Sequence, residues 1–119
     1  MTADDTRLLV HRFLDALNAH DLAAASAMLA EDAAYDPPHG TREIGSGGAR
    51  DLMAAAPRET IGDIVVMTDE TGARAAAEFT RRGNAAGTAR SYSARGGFFF
   101  EIDGGRITRL TAVAPGPGA

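Results

Sequence analysis

The apolar positions of this chain change their period once, near the middle. In the first half they recur at three and four residues, the spacing of one helix face. Leu8, Leu9, Phe13, Leu14 and Leu17 form such a stripe. Thr2 or Asp4 is placed to cap it, and Asp4 and Asp5 suit the positive end of the helix dipole. Asn18-Ala19-His20-Asp21 interrupts the stripe, and Asp21 can cap a second helix with Leu22, Ala25, Met28 and Leu29 on its apolar side. Residues 33–36 predict a short strand ended by Pro37-Pro38, with 42–44 as its partner. Gly45-Ser46-Gly47-Gly48 then leads into a third helix over 49–56, with Leu52 and Met53 turned inward and Pro57 as its stop.

From Thr60 onward the period is two, which is the signature of strands. Residues 61–68 form one strand, and Asp69-Glu70-Thr71-Gly72 is a turn. Over 73–82, Ala73, Ala75, Ala77 and Phe79 share one face, while Arg74, Glu78, Thr80 and Arg82 share the other. After a polar loop at 83–88, residues 89–102 make a long strand. Gly96-Gly97 in its middle marks a bulge or bend. Asp103-Gly104-Gly105 closes a hairpin onto a last strand over 106–114. Residues 115–119, all Pro, Gly or Ala, read as a tail beyond a single domain of 1–114. Helices followed by a run of strands predict an α+β fold. A strongly curved, mostly antiparallel sheet can wrap the three helices into a cone with a pocket between them, and the glycine bend supplies curvature.

Composition narrows the function. Of 119 residues, 45% are hydrophobic and 24% charged, which is ordinary for a globular chain. The net charge of -4 and the lack of a basic stripe argue against nucleic acid as a partner. With no cysteine there is no disulfide, thiolate nucleophile or cysteine-held zinc. The acidic start is unlike a signal peptide, and no apolar run reaches membrane-spanning length, so the reading is cytoplasmic. Fourteen glycines, with arginine favoured over lysine, fit a high-GC bacterial genome.

The densest polar chemistry lies in Tyr35-Asp36-Pro37-Pro38-His39-Gly40. Asp36 on a pocket wall could abstract a proton, and His39 could orient it or relay the proton. The competing reading is an Asx-type turn before two prolines with an exposed histidine. Tyr35 and Tyr92 are the only tyrosines, and Tyr92 is the better candidate for an inward hydroxyl donor. Arg81 follows Ala77 and Phe79 on the apolar strand face, where it could attract an anionic ligand at a pocket rim. Phe13, Phe79 and Phe99 are expected to line the pocket or core, with Leu17, Gly97 and Leu110. Phe98 and Phe100 would then face away, towards a dimer partner with Ile107 and Val113. His11, His20 and His39 match no metal spacing.

The run from Arg12 to Leu22, with Met28-Leu29-Ala30-Glu31-Asp32-Ala33, resembles the opening of the NTF2-like superfamily, in particular its ketosteroid isomerases and SnoaL-like proteins. Glu43-Ile44-Gly45, Asp63-Ile64-Val65-Val66-Met67, Arg74-Ala75-Ala76-Ala77-Glu78-Phe79-Thr80 and the run from Phe99 to Ile107 are similar to a bacterial ketosteroid-isomerase-related group. The resemblance spans nearly the whole chain. It implies a cone of three helices on a curved sheet, a pocket, no cofactor, and frequent dimers through the sheet.

Ketosteroid isomerases use an aspartate base, with a tyrosine and a protonated aspartic acid as oxyanion donors. The resemblance places the tyrosine at Phe13, the base at Pro37 beside Asp36, and the second donor at or beside Gly97. Both donors are therefore missing. The expected function is a small-molecule pocket protein for an apolar ligand, steroid- or polyketide-like. Its chemistry would be cofactor-free proton transfer, of isomerase or cyclase type, on a carbonyl compound. The alternatives are a non-catalytic binding module and a dimerising domain with a vestigial pocket.

Overall fold

The computed structural model describes residues 2–36, 43–44, 60–84 and 91–113. They form two helices, α1 (Ala3–Asn18) and α2 (Leu22–Ala27). The strands are β1 (Leu29–Asp36), β2 (Glu43–Ile44), β3 (Thr60–Thr68), β4 (Arg74–Asn84), β5 (Ser91–Asp103) and β6 (Arg106–Val113). The expected third helix at 49–56 and the tail at 115–119 lie outside the described residues.

Thr2 caps α1 through a capping box. Its hydroxyl accepts from the Asp5 amide at 3.1 Å, and the Asp5 carboxylate accepts from the Thr2 amide at 3.0 Å. The Thr2 amide holds the Asp5 carboxyl below its ordinary pKa. Val10, Phe13, Leu14 and Leu17 form the buried stripe of this helix, and Leu8 remains exposed. Asp21 caps α2 by accepting from the Ala24 amide at 3.1 Å. The second helix is shorter than its pattern suggested. Met28 is its C-cap and Leu29 already begins β1. The reason is tertiary: the Met28 carbonyl accepts from the Ile107 amide at 2.9 Å, which draws the chain into the sheet.

The sheet order is β2-β1-β6-β5-β4-β3. The four long C-terminal strands pair antiparallel, while β1 joins β6 in parallel. The sheet is mixed, and it is neither closed nor strongly curled, so the tight cone expected from Gly96-Gly97 is not what the described residues form. The strand passes through both glycines in unbroken pairing, Phe79 with Gly96 and Glu78 with Gly97. Register shifts lie elsewhere, between Leu29 and Ala34 on β1, between Glu101 and Ile102 on β5, and between Gly62 and Val65 on edge strand β3, where Asp63 has φ 53. A bulge of this kind blunts an exposed edge. Arg82 bonds the Asp63 carboxylate at 2.8 Å, and this contact lowers the Asp63 pKa.

Two clips fix α1 along β3 and β4. At its start, the buried Thr6 hydroxyl donates to the Gly72 carbonyl at 2.6 Å. Gly72 has φ +76, and a Cβ there would stand 2.7 Å from both the Thr2 carbonyl and the Thr6 hydroxyl, so only glycine fits this turn. At the other end, the Asn18 side chain pairs with the backbone of Ile61 twice. Its amide donates to the Ile61 carbonyl at 2.9 Å, and its oxygen accepts from the Ile61 N–H at 2.6 Å. Asn18 thereby satisfies part of the open edge of β3.

Candidate functional site

The helix-facing side of the sheet carries the core. On β4, Ala75, Ala77 and Phe79 are buried. They pair with Phe100, Phe98 and Gly96 of β5. Phe98 stacks obliquely on Phe79, with ring centroids 5.3 Å apart, and Phe100 meets Phe13 of α1 edge-on at 6.1 Å. Leu110 on β6 and Ala33 and Tyr35 on β1 extend the same face. The next inward position after Phe79 is Arg81, opposite Ala94, and beyond it Gly83 opposes Tyr92. The last described residue of β6, Val113, pairs with Gly97. From Gly96 back to Ser91, β5 therefore runs on with β4 as its neighbour among the described residues. Arg81, Gly96, Ala94 and Tyr92 line this overhang, on the same side as the apolar core.

The opposite face begins one residue away on every strand. Val65, Met67, Phe99 and Val113 are exposed there, with Ala76 between them. Gly97 has no side chain, and around it an open depression of about 440 Å³ is lined by Met67, Ala76, Phe99 and Val113, with Glu78 and Arg95 at its side. Glu78 and Arg95 form an exposed pair at 3.4 Å. Farther along, Asp36 lies 3.1 Å from Arg109 Nε and accepts from the Thr111 hydroxyl at 3.2 Å. The Arg109 N–H is not aimed at the carboxylate, so this contact is ionic rather than a hydrogen bond. Arg109 also reaches Glu101 at 3.6 Å.

The structure thus redistributes the residues named from the pattern. Phe13, Leu17, Phe79 and Leu110 are buried on the helix side, and Arg81 shares that side. Phe99, expected with them, is 57% exposed on the outer face, whereas Phe98 and Phe100, expected outside, are 6% and 2% exposed. Ile107 is also buried. In Phe98-Phe99-Phe100 every position is apolar, so alternation could not choose a face, and pairing with Ala77 and Ala75 decided it. Gly97 is likewise on the outer face, beside Glu78 and Val113.

Asp36 does not lie near Phe13. Ala33 and Tyr35 take the inward positions of β1, and Asp36 pairs with Thr111 on the other face. His39 lies outside the described residues. Tyr35, at 7% exposure, is the more deeply buried tyrosine, and Tyr92 is 38% exposed. The Asn18 clip and the course of Arg81 over Gly96 had no signal in the pattern. Both depend on strand register, which sequence spacing leaves open. Among the described residues, no group of three or more His, Cys, Asp or Glu is arranged to hold a metal ion. No helix among them is long and apolar enough to cross a membrane.

A SnoaL-like domain model matches residues 10–110, most of the chain and all of the elements just described except the ends of α1 and β6. The chain belongs to the SnoaL-like domain family. Its fold is NTF2-like. A protein from Xanthomonas campestris pv. campestris is 32% identical, with a TM-score of 0.83 over 94% of this chain and 91% of that one. One from Pseudomonas putida is 36% identical, with a TM-score of 0.81 over 97% and 92% of the two chains. Both are described as a "putative polyketide cyclase". An NTF2-like protein of unknown function from Burkholderia pseudomallei, 18% identical, has a TM-score of 0.78 over 93% and 91%, which supports the fold alone. No curated protein matches this SnoaL-like chain.

Proposed function

We propose that this SnoaL-like protein binds a small, largely apolar carbonyl compound of the polyketide kind on the helix side of its sheet. The site is the overhang of β5, with Phe79, Arg81, Ala94, Gly96 and Tyr92 as its wall, and the chemistry is cofactor-free proton transfer of the isomerase or cyclase type. The observation that carries this reading is the overhang itself. There the inner face continues beyond the level of Val113, the last described residue of β6, and carries a guanidinium and a phenol. The kinship to the Xanthomonas and Pseudomonas proteins, over more than nine-tenths of each chain, supports the ligand class.

Standard steroid isomerisation does not fit. Phe13 has no hydroxyl, and Gly97 has no side chain and lies on the outer face. Loss of even one oxyanion donor typically costs about 10²–10³ in rate. A second reading, binding without turnover, is favoured by the position of Asp36. The carboxylate expected as the base faces away from α1.

The outer face has a separate role in this proposal. Val65, Met67, Phe99 and Val113 make an apolar patch of the kind that marks contact surfaces. Its occupant is a second copy of this chain. Glu78 and Arg95 lie side by side at the patch, and a two-fold axis brings each opposite the other's counterpart, so the surface is complementary to itself.

N-phenyl-1-naphthylamine, a neutral fluorescent probe, tests the pocket without assuming a reaction. The expected result is saturable binding of one probe per chain, with negligible turnover of a 3-oxo-Δ5 steroid. Absence of saturable binding would contradict the pocket, and steroid turnover at the rate of true isomerases would contradict the reading of Phe13 and Gly97.

A further inference from the structure

We infer that the second copy docks about a two-fold axis running along the strands, between β4 and β5, so that Phe99 lies over the partner's Ala76 and Glu78 over the partner's Gly97. The inference rests on the second-copy reading of the outer face and adds the place of the axis. Strand register writes that face as three rows. One runs Val65, Glu78, Gly97, Val113 from β3 to β6. The next runs Met67, Ala76, Phe99, Thr111. The third runs Arg74, Glu101, Arg109 from β4 to β6. An axis along the strands sets each row against its own copy in reversed order. Val65 then meets the partner's Val113, apolar on apolar. Phe99, 57% exposed, meets the partner's Ala76, the smallest side chain of its row. Arg74 meets the partner's Glu101, opposite in charge.

Glu78 is the decisive position. A Cβ on Gly97 would stand 2.8 Å from the Ala77 carbonyl oxygen, so the backbone keeps that position bare. The depression around it, of about 440 Å³, has Arg95 at its side. A carboxylate lowered into this hollow reaches the partner's Arg95. It keeps its own contact with Arg95 at 3.4 Å, because a carboxylate has room for several donors. Four charges, two of each sign, thus gather about the axis, and a charge enters an interface at tolerable cost when it is paired. Two sheets stacked face to face hold their strands within about 30° of one another, which an axis across the strands also satisfies. At the level of Phe98, however, that axis sets Glu78 over the partner's Ala76 and Arg74 over the partner's Thr80. Neither then faces a counter-charge. The axis along the strands provides one for both.

The test mixes complementary variants. The chain has no cysteine, so Val65→Cys and Val113→Cys carry one thiol each, both at exposed positions. Treated with a short bis-methanethiosulfonate, the mixture should cross-link Cys-to-Cys between the two variants. Either variant alone should not, because about 14 Å, three strand spacings, separates like positions. Glu78→Arg and Arg95→Glu should each raise the dimer dissociation constant about tenfold in sedimentation equilibrium, since like charges then meet at the axis. An equimolar mixture should recover as a heterodimer in native mass spectrometry. Asp4→Arg and Arg7→Glu reverse an exposed pair on α1 with the same changes in net charge, and should show neither loss nor preference on mixing. Self-cross-linking of Val65→Cys as fast as in the mixture would overturn the axis and leave the second-copy reading intact. So would charge-reversed variants that stay dimeric or fail to recover together. An unaltered protein that is monomeric at micromolar concentration would overturn both.

Discussion

The two faces of this sheet are made from alternate residues of the same strands, and they end in different chemistry. Phe98 and Phe100 lie on the helix side, packed with Phe79 and Phe13, while Phe99 between them is 57% exposed. Arg81 is turned back over Gly96 on the inner side, whereas its neighbour Arg82 reaches out to Asp63. One glycine of the pair serves each face: Gly96 makes room for a guanidinium inside, and Gly97 opens the apolar depression outside. The difference teaches that a residue's role here follows from the parity of its position. Its type and its neighbours along the chain say much less.

The largest expected effect separates two adjacent phenylalanines. Phe100→Ala removes a fully packed ring and should cost about 3–5 kcal/mol of stability in denaturant unfolding. Phe99→Asp, one residue away, should keep the helical and strand content by circular dichroism but turn a dimer into a monomer in sedimentation equilibrium. A Phe100→Ala protein of nearly unaltered stability, or a Phe99→Asp protein that stays dimeric, would break the division between faces.

Much of the fold was legible from residues alone. The stripe from Leu8 to Leu17 gave α1, Thr2 was one of its two candidate caps, and the turns at Asp69-Gly72 and Asp103-Gly105 bounded strands within a residue or two of their observed ends. These features are local, so spacing and capping chemistry specify them. The faces of β1 and β5 were not legible. In Ala33-Ala34-Tyr35-Asp36 and in Phe98-Phe99-Phe100 the pattern does not alternate cleanly, and one residue of register reverses every side chain. Asp36 was therefore placed near Phe13 when it belongs beside Arg109 and Thr111. The same limit hid Gly96, whose importance lies in what crosses above it.

A smaller effect is expected at Asp36. Asp36→Asn keeps the shape and removes the charge beside Arg109, in a pair that is about one-quarter to one-third exposed. The change should cost about 1 kcal/mol or less. It should leave the affinity for N-phenyl-1-naphthylamine unaltered. A variant of normal stability that no longer binds the probe would return Asp36 to the site.

The division of labour between the faces is tested most directly by locating the bound probe. Nuclear Overhauser contacts between N-phenyl-1-naphthylamine and assigned side-chain protons read the face without any mutation. Contacts should appear to Ala94, Phe79 and the Arg81 methylenes, and none to the methyl groups of Val65, Met67 and Val113. Contacts to Met67 and Val113 with silence at Ala94 and Phe79 would place the ligand in the outer depression and contradict the account.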